Sequence, residues 1–273
     1  WLDDFENPAD QAVHGSFYLL RDASEEAVKQ ILEEAQANPK PGVSQQIGDM
    51  YGSFLNEARV NELGAAPIAA DLERIDQADF AELSHLMGKF SREGISGFFG
   101  MYVNNDPGNP NRYLVNMFQG GLGLPDESYY HDEKYADFRD AYVPYVAQML
   151  QHAGWTAAQA ETDAQKIMAF ETELATHHWN VVESRDAEKT YNLLSFEQLK
   201  KLTPTLDWNK WMQGSAVSED MLFENVVMMP SFFEGISSVF NESNIDAAKL
   251  WLKWQVINSM APYLSDDFVN TRF

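Results

Sequence analysis

A chain of 273 residues with 45% hydrophobic and 13% aromatic side chains is long enough to bury a large core and is too apolar to be disordered. Its 42 acidic against 19 basic residues give a net charge of −23, which excludes phosphate-binding nucleic-acid surfaces and sets the chain against anionic membranes. The absence of cysteine removes disulfides, thiolate zinc sites and a cysteine nucleophile together. No apolar run reaches the length of a membrane span and no signal peptide opens the chain, which begins at Trp1 as a processed or trimmed segment would.

Residues 1–20 carry no strong period and read as a lead-in anchored by Phe17, Leu19 and Leu20. Asp22 with Glu25 resembles a capping box, and Ala27, Val28, Ile31, Leu32 and Ala35 follow at helical spacing until Asn38-Pro39. Beyond the Pro39-Lys40-Pro41-Gly42 loop, Ile47, Met50, Tyr51, Phe54, Leu55 and Ala58 mark a second helix. Gly64 and Pro67 separate it from a third, with Ile68, Leu72 and Ile75. A fourth carries Phe80, Leu83, Leu86, Met87 and Phe90.

The pattern then changes. Two β-prone runs, one from Phe98 to Val103 and one from Tyr113 to Met117, flank the turn-rich tract Asn104 to Pro110 and predict a hairpin with a long loop. It leads into Phe118-Gln119-Gly120-Gly121-Leu122-Gly123-Leu124-Pro125, where three glycines let the backbone turn and Pro125 holds Leu124 extended. No Gly-Lys-Ser/Thr comes after it, so the tract is not a phosphate loop.

Helices resume with Phe138, Tyr142, Tyr145, Val146, Met149 and Leu150 on one face, ending near Gly154. Thr156 with Gln159 is a capping box for the next helix, with Ile167, Phe170 and Leu174. Ser195 with Gln198 caps a short one, and Asp207 starts one holding Trp208 and Trp211. Val226 to Met229 reads as extended, and Ser231 with Glu234 as the cap of a helix with Phe232, Ile236, Val239 and Phe240. The last long helix, Ile245 to Met260, is apolar on most sides apart from Lys249 and Lys253, as a helix buried against several neighbours would be. With no repeat and no linker, the expectation is a mainly α protein: one large multi-helix domain over 1–273 with a small β-hairpin near 95–118.

The chemistry-bearing residues form no visible site. The six histidines are His14, His85, His131, His152, His177 and His178, and none sits in an H-E-x-x-H. Glu82-x-x-His85 has the spacing used by di-iron bundles, but the second copy they require is absent, so a solvated helix face accounts for it. Glu173, His177 and His178 are the nearest to a metal cluster. His178 follows Ile167, Phe170 and Leu174 at helical spacing and reads as a packed, hydrogen-bonded core histidine. The tract Arg185 to Asn192 reads as a connection held by Arg185–carboxylate pairing and an Asn192 cap. Asp3-Asp4, Glu25-Glu26 and Asp266-Asp267 read as solvated surface, and the Trp208/Trp211 and Trp251/Trp254 pairs as core. No catalytic, metal-binding or substrate-binding residue is assigned.

Several separated segments carry a resemblance. Gly123-Leu124-Pro125-x-x-x-Tyr129-Tyr130 is similar to a signature of the neprilysin and endothelin-converting-enzyme family of zinc metallopeptidases, which includes the bacterial oligoendopeptidase O type. Met50-Tyr51-x-Ser53, Asn61-Glu62-x-Gly64-x-x-Pro67-Ile68 and Leu72-x-x-Ile75 resemble its early helix pair. Glu171-Thr172-x-Leu174-Ala175, Arg185-Asp186, Lys189-x-Tyr191-Asn192, Pro230 and the run from Trp251 to Leu264 and Phe268 resemble the family's later segments.

The resemblance implies a parent enzyme of two mainly helical lobes around a closed cavity, one holding zinc on H-E-x-x-H plus a downstream glutamate. This chain resembles the other, N-terminal lobe, which limits access to short peptides, and it stops at Phe273 before a catalytic motif. An arginine that helps hold substrate in the family falls at Val13 here, a departure from the pattern, whereas Arg21 matches the arginine common shortly after it. The expectation is a fragment of a zinc-dependent metalloendopeptidase acting on small peptides, with zinc in the parent enzyme and none in this chain, which alone is inactive. Its partners would be the catalytic lobe of the same polypeptide and peptide substrates, in the bacterial cytoplasm or in a secreted or membrane-anchored parent. The alternative is a non-catalytic helical binding or scaffold module sharing the lobe's ancestry.

Overall fold

The computed structural model describes residues 9, 12–13 and 15–272; Trp1, the Asp3-Asp4 pair and His14 lie outside them. The fold is mainly α with a small mixed sheet, as the periodicities imply. The chain groups into two compact units, residues 1–60 and 61–273.

In the first unit α1 (Ser16–Ala37) and α2 (Val43–Phe54) pack side by side, with only Ala35 and Gly48 buried among their described residues. A Cβ on Gly48 would stand 2.3 Å from the Ala35 carbonyl oxygen, so the two backbones meet there. α1 starts at Ser16 rather than at Asp22, whose carboxylate accepts a hydrogen bond from Arg21 (2.8 Å) instead of capping the helix. The expected second helix is two. After α2 ends, the Asn56 side chain accepts the Arg59 amide (3.2 Å) and α3 (Glu57–Leu63) begins, running into the second unit.

The second unit opens with α4 (Ala66–Gln77), which carries Pro67 in its first turn, and α5 (Phe80–Arg92), capped by Asp79 on the Glu82 amide. Strand β1 (Phe99–Asp106) pairs antiparallel with β2 (Asn109–Gln119). The strands continue through the polar tract read as a long loop and leave only Pro107-Gly108 at the turn. The cause is Asp106, whose carboxylate accepts the Gly108 amide (2.8 Å) and the Arg112 guanidinium (2.7 Å).

Beyond the glycine tract come α6 (Ser128–His131), α7 (Ala136–His152) and α8 (Ala157–Ala175). Strand β3 (Leu193–Ser195), α9 (Phe196–Leu202), α10 (Trp208–Ser215) and β4 (Glu224–Val227) come next, then α11 (Pro230–Val239), α12 (Ile245–Met260) and α13 (Asp266–Thr271). Both expected capping boxes, Thr156/Gln159 and Ser195/Gln198, are formed. The Ser231/Glu234 cap is not. Pro230 takes the first helical position, and the Ser231 hydroxyl accepts the Trp179 indole N–H (2.7 Å). The sheet order is β1-β2-β4-β3, with β4 parallel to β2 and antiparallel to β3.

The root of the hairpin is the centre of the core. Phe98 stacks on Trp251 of α12 (4.3 Å between ring centres), while Phe99 reaches Trp208 and Trp211 of α10 and Phe233 of α11. α5 and α10 touch at backbone level, because a Cβ on Gly88 would stand 2.1 Å from the Trp211 carbonyl oxygen and one on Gly214 2.0 Å from that of His85. α12 is buried over most of its surface, and its two lysines reach Asp76 at the end of α4: Lys249 to the carbonyl (2.9 Å) and Lys253 to the carboxylate (2.7 Å).

Candidate functional site

The glycine tract is held by hydrogen bonds along its length. Gln119 and Trp179 exchange two hydrogen bonds of 2.8 Å, side-chain amide to carbonyl and backbone amide to side-chain oxygen. The Gly120 carbonyl accepts from His178 Nε2 (3.0 Å), and the Gly121 carbonyl accepts from the Trp251 indole (3.0 Å). The Gly123 and Leu124 amides both donate to the Tyr130 hydroxyl (3.1 and 3.0 Å). Gly121 has a φ of 90°, in the region that favours glycine. A Cβ on Gly123 would stand 1.8 Å from the Tyr142 hydroxyl, so only glycine fits between the loop and α7.

Beneath the loop lies a fully buried carboxyl, Glu171 of α8. One of its oxygens, Oε2, accepts from the Tyr130 hydroxyl (2.8 Å), the Tyr142 hydroxyl (3.0 Å) and the Gly123 amide (3.3 Å), while Oε1 has no partner. The Trp254 indole donates to Tyr142 (3.0 Å) and closes the cluster from α12. Burial pushes the Glu171 pKa up from 4.5 to about 7, against the pull of its hydrogen-bond donors, Tyr130 and Tyr142 first. The same burial raises the Tyr130 and Tyr142 hydroxyls, which therefore stay protonated and donate. The cluster has no open face to a ligand, and its chemistry is to fix the loop.

A second carboxylate cluster sits at the hairpin tip. Asp106 accepts from Arg112, from the Tyr191 hydroxyl (2.7 Å) and from the Gly108 amide, and Arg112 also reaches Glu224 of β4. The Tyr191 hydroxyl bond first, and Arg112 after it, lower the Asp106 pKa. Asp106 is covered by this ring of partners rather than by depth in the protein.

The sequence-level candidates do not converge. His177 lies past the end of α8, packs over Gly235 and bonds the Ser238 hydroxyl (2.7 Å). His178 also lies past the helix end, so helical spacing does not explain it; it is nevertheless packed and hydrogen-bonded, edge-on to Phe232 (4.6 Å). Burial holds its pKa down from 6.5 to about 4. Glu173 is exposed on α8. Glu82 pairs with Lys210 (3.7 Å) across α5 and α10. In the 185–192 connection it is Lys189 that pairs, with Glu183 (3.3 Å), and Asn192 donates to the Lys189 carbonyl (2.7 Å) instead of capping a helix. Val13 is exposed, and Arg21 is engaged by Asp22 and Glu25. Among the described residues no three His, Asp or Glu side chains are grouped to hold a metal ion, so a zinc ion does not fit them. The residues that do cluster, Tyr130, Tyr142 and Glu171, are distant in sequence. Tyr130 and Glu171 stand in two of the segments that carry the family resemblance, but nothing local ties them to each other or to Tyr142 on its apolar helical face.

Comparison with known proteins agrees with this picture. The sequence profile of the N-terminal part of Peptidase family M13 matches residues 1–273. Endothelin-converting enzyme-like 1 of Rattus norvegicus is 24% identical over 288 residues, covering 98% of this chain and 36% of that protein. The open-state structure of the Mycobacterium tuberculosis zinc metalloprotease Zmp1 superposes with a TM-score of 0.93 at 36% identity, covering 99% of this chain and 43% of Zmp1. PepO of Lactobacillus rhamnosis shares the fold, with a TM-score of 0.73 at 18% identity, over 98% of this chain and 43% of its own. This chain therefore spans well under half the length of the proteins it resembles. With its profile matched end to end and its fold shared, the chain belongs to peptidase family M13, as that family's N-terminal domain.

Proposed function

We propose that this chain is the substrate-gating lobe of a zinc-dependent metalloendopeptidase acting on small peptides, and that it carries no catalytic residue of its own. The observation that carries the reading is a match over the whole chain to the N-terminal part of a peptidase family, joined to a fold shared with a zinc metalloprotease of which it covers 43%. The zinc and its chemistry then belong to a catalytic lobe of the same polypeptide. The contribution of this chain is a wall that does not deform: a glycine loop pinned by Trp251, His178 and Tyr130 over a closed aromatic core. A rigid wall selects by size, since a substrate must fit a space that neither side chains nor backbone can enlarge cheaply.

The first test is the coding region downstream of Phe273. An H-E-x-x-H followed by Glu-x-x-x-Asp is expected there, and a reading frame that closes without one overturns the proposal in favour of a helical scaffold module. The second is direct. The purified 273-residue chain is expected to retain no stoichiometric zinc after dialysis and to cleave no peptide, and chelator-sensitive cleavage by it would refute the assignment.

A further inference from the structure

The sheet has an unguarded edge. Its order, β1-β2-β4-β3, leaves β1 paired on one side alone. The Phe98 carbonyl accepts the Gly120 amide (2.8 Å), so by antiparallel alternation Gly100, Tyr102 and Asn104 turn their backbone groups toward β2. Met101, Val103 and Asn105 turn theirs to the open side. The same alternation turns Met117 of β2 toward β4, and its carbonyl accepts the Met228 amide there (2.9 Å). Asn105 satisfies its outward amide locally, on the Asn104 side chain (2.9 Å), and a register shift at Asn105–Asp106 ends the edge at the tip. Among the described residues nothing pairs with the outward amides and carbonyls of Met101 and Val103, and Val103 is 67% exposed. Edge strands normally carry a lysine, a proline or another charge against unwanted pairing, and Gly100 to Asn105 has none.

One face of this edge opens on an apolar groove of about 430 Å³. Val103, Tyr113 and Val115 of the hairpin line it, with Met221 and Phe223 ahead of β4, and Phe223 is 72% exposed. Val103, Val115 and Asn225 stand opposite one another across three strands. Asn225 donates to the Leu222 carbonyl (2.7 Å), which fixes the turn Glu219–Leu222 as the far wall. On the other face the rings of Tyr102 and Phe118 meet at 5.9 Å. The rim is acidic. Asp220 and Glu224 line the groove, with Glu219 next to them in sequence, and Arg112, the one cation of the hairpin, is already held by Asp106 and Glu224.

We infer that the β1 edge and its groove bind an extended basic peptide, laid against β1 as a fifth strand with an apolar side chain in the groove. Charge and geometry identify the occupant. A chain of net charge −23 turns away acidic partners, and Glu219 and Asp220 have no cation beside them among the described residues, so basic residues flank the apolar one. Met101 and Val103 offer two amides and two carbonyls, which a peptide stretch of about five residues can engage. Main-chain bonds of this kind give affinity with little regard to sequence, and the side-chain pocket gives the preference. The peptide residue opposite Val103 points toward Tyr113 and Phe223, and its two neighbours point to the Tyr102 face. This binding belongs to the sheet of the chain itself and does not depend on the parent being a peptidase.

The probe is a fluorescein-labelled peptide, Lys-Thr-Val-Tyr-Val-Thr-Lys, titrated into the 273-residue chain and into the complete parent polypeptide kept zinc-free with chelator. Saturable anisotropy with a dissociation constant of about 100 μM or below is expected in both. In residue-resolved amide exchange, saturating peptide slows Met101 and Val103 at least about tenfold and leaves Tyr102 and Asn104, already bonded to β2, unchanged. Val103→Pro removes an outward amide and no bond to β2, and weakens binding about fivefold or more. Full N-methylation of the peptide or glutamate in place of both lysines weakens it at least as much. Phe223→Ser on the groove wall weakens it too, whereas Val182→Asp, at an exposed site elsewhere, does not. Unchanged exchange at Tyr102 and Asn104 shows that each variant keeps its hairpin. No saturation by about 1 mM overturns the inference, as does binding that N-methylation and Phe223→Ser both leave intact. Protection of Met101 and Val103 without peptide, growing with concentration alongside a dimer in sedimentation, assigns the edge to a second copy. Protection in the peptide-free parent that the shorter chain lacks assigns it to the rest of that polypeptide. Either result refutes a peptide as the occupant.

Discussion

Two carboxylates organise two stretches of this chain, and their environments move them in opposite directions. Glu171 under the glycine loop and Asp106 at the hairpin tip each accept three hydrogen bonds, at least one from a tyrosine and one from a glycine amide. Glu171 is nevertheless raised to about 7 and Asp106 lowered. Partner count does not decide the sign. Asp106 has a guanidinium close by, whereas Glu171 lies wholly inside aromatic packing with no cation beside it and with Oε1 unpaired, so desolvation outweighs its donors. The loop is held by depth, the tip by a charge.

The comparison breaks most severely at Gly123. In Gly123→Ala the new methyl group would stand 1.8 Å from the Tyr142 hydroxyl, and relief requires moving α7 or the loop. A loss of about 3 kcal/mol or more in urea unfolding is expected, combining overpacking with a broken bond to Glu171. A shift of less than about 1 kcal/mol would mean that the loop is not clamped.

The titration of the core sharpens it next. The folded pKa of Glu171 is about 7 against an ordinary 4.5, so the stability it contributes is full below about 4.5 and lost as pH rises through about 7. His178 runs the other way, at about 4 against 6.5: its contribution is full above 6.5 and lost as pH falls through about 4. Each proton is worth about 1.4 kcal/mol per pH unit, and the two slopes offset one another through the overlap. Glu171→Gln is therefore expected to stabilise the protein progressively relative to wild type as pH rises from about 5 to 7, by up to about 3 kcal/mol. His178→Gln, which can still donate to Gly120, tilts the profile the opposite way. Variant-minus-wild-type curves that are both flat would show that neither group titrates in the fold. Trp251→Phe keeps the ring stack on Phe98 and removes the indole bond to Gly121, for an expected cost of about 1–2 kcal/mol in the same assay.

What was legible in the sequence is what is local. Thr156/Gln159 and Ser195/Gln198 cap helices because both partners lie within one turn. The break at Leu55-Asn56 was hidden by an apolar period that runs through it, and Ser231 looked like a cap until Pro230 occupied the first helical position. The short turn at Pro107-Gly108 depends on Tyr191, which is 85 residues from Asp106, and β3 exists because β4 offers it an edge. The glycine loop was visible as a motif, but Glu171, 48 residues beyond Gly123, carries no mark of its role in its own neighbourhood. Distant pairing, not chemistry, is what the one-dimensional pattern lacks.

The hairpin tip supplies the smallest expected effect, and the one that separates charge from depth. Asp106→Asn keeps the size of the side chain and leaves Gly108 and Tyr191 something to bond, but it removes the charge that holds Arg112. Because only its own partners cover Asp106, loss of the charge should open the tip without reaching the core. The Gly108 amide is then expected to exchange several-fold faster while the urea midpoint stays within error. Acid should reproduce the variant. The depressed pKa places the stabilisation by Asp106 above pH 3.8 and lets it fade as pH falls through the folded value, a range in which Glu171 is already protonated. If Asp106→Asn instead lowers the midpoint as far as Gly123→Ala does, the tip is a structural support of the core and the contrast between the two carboxylates fails.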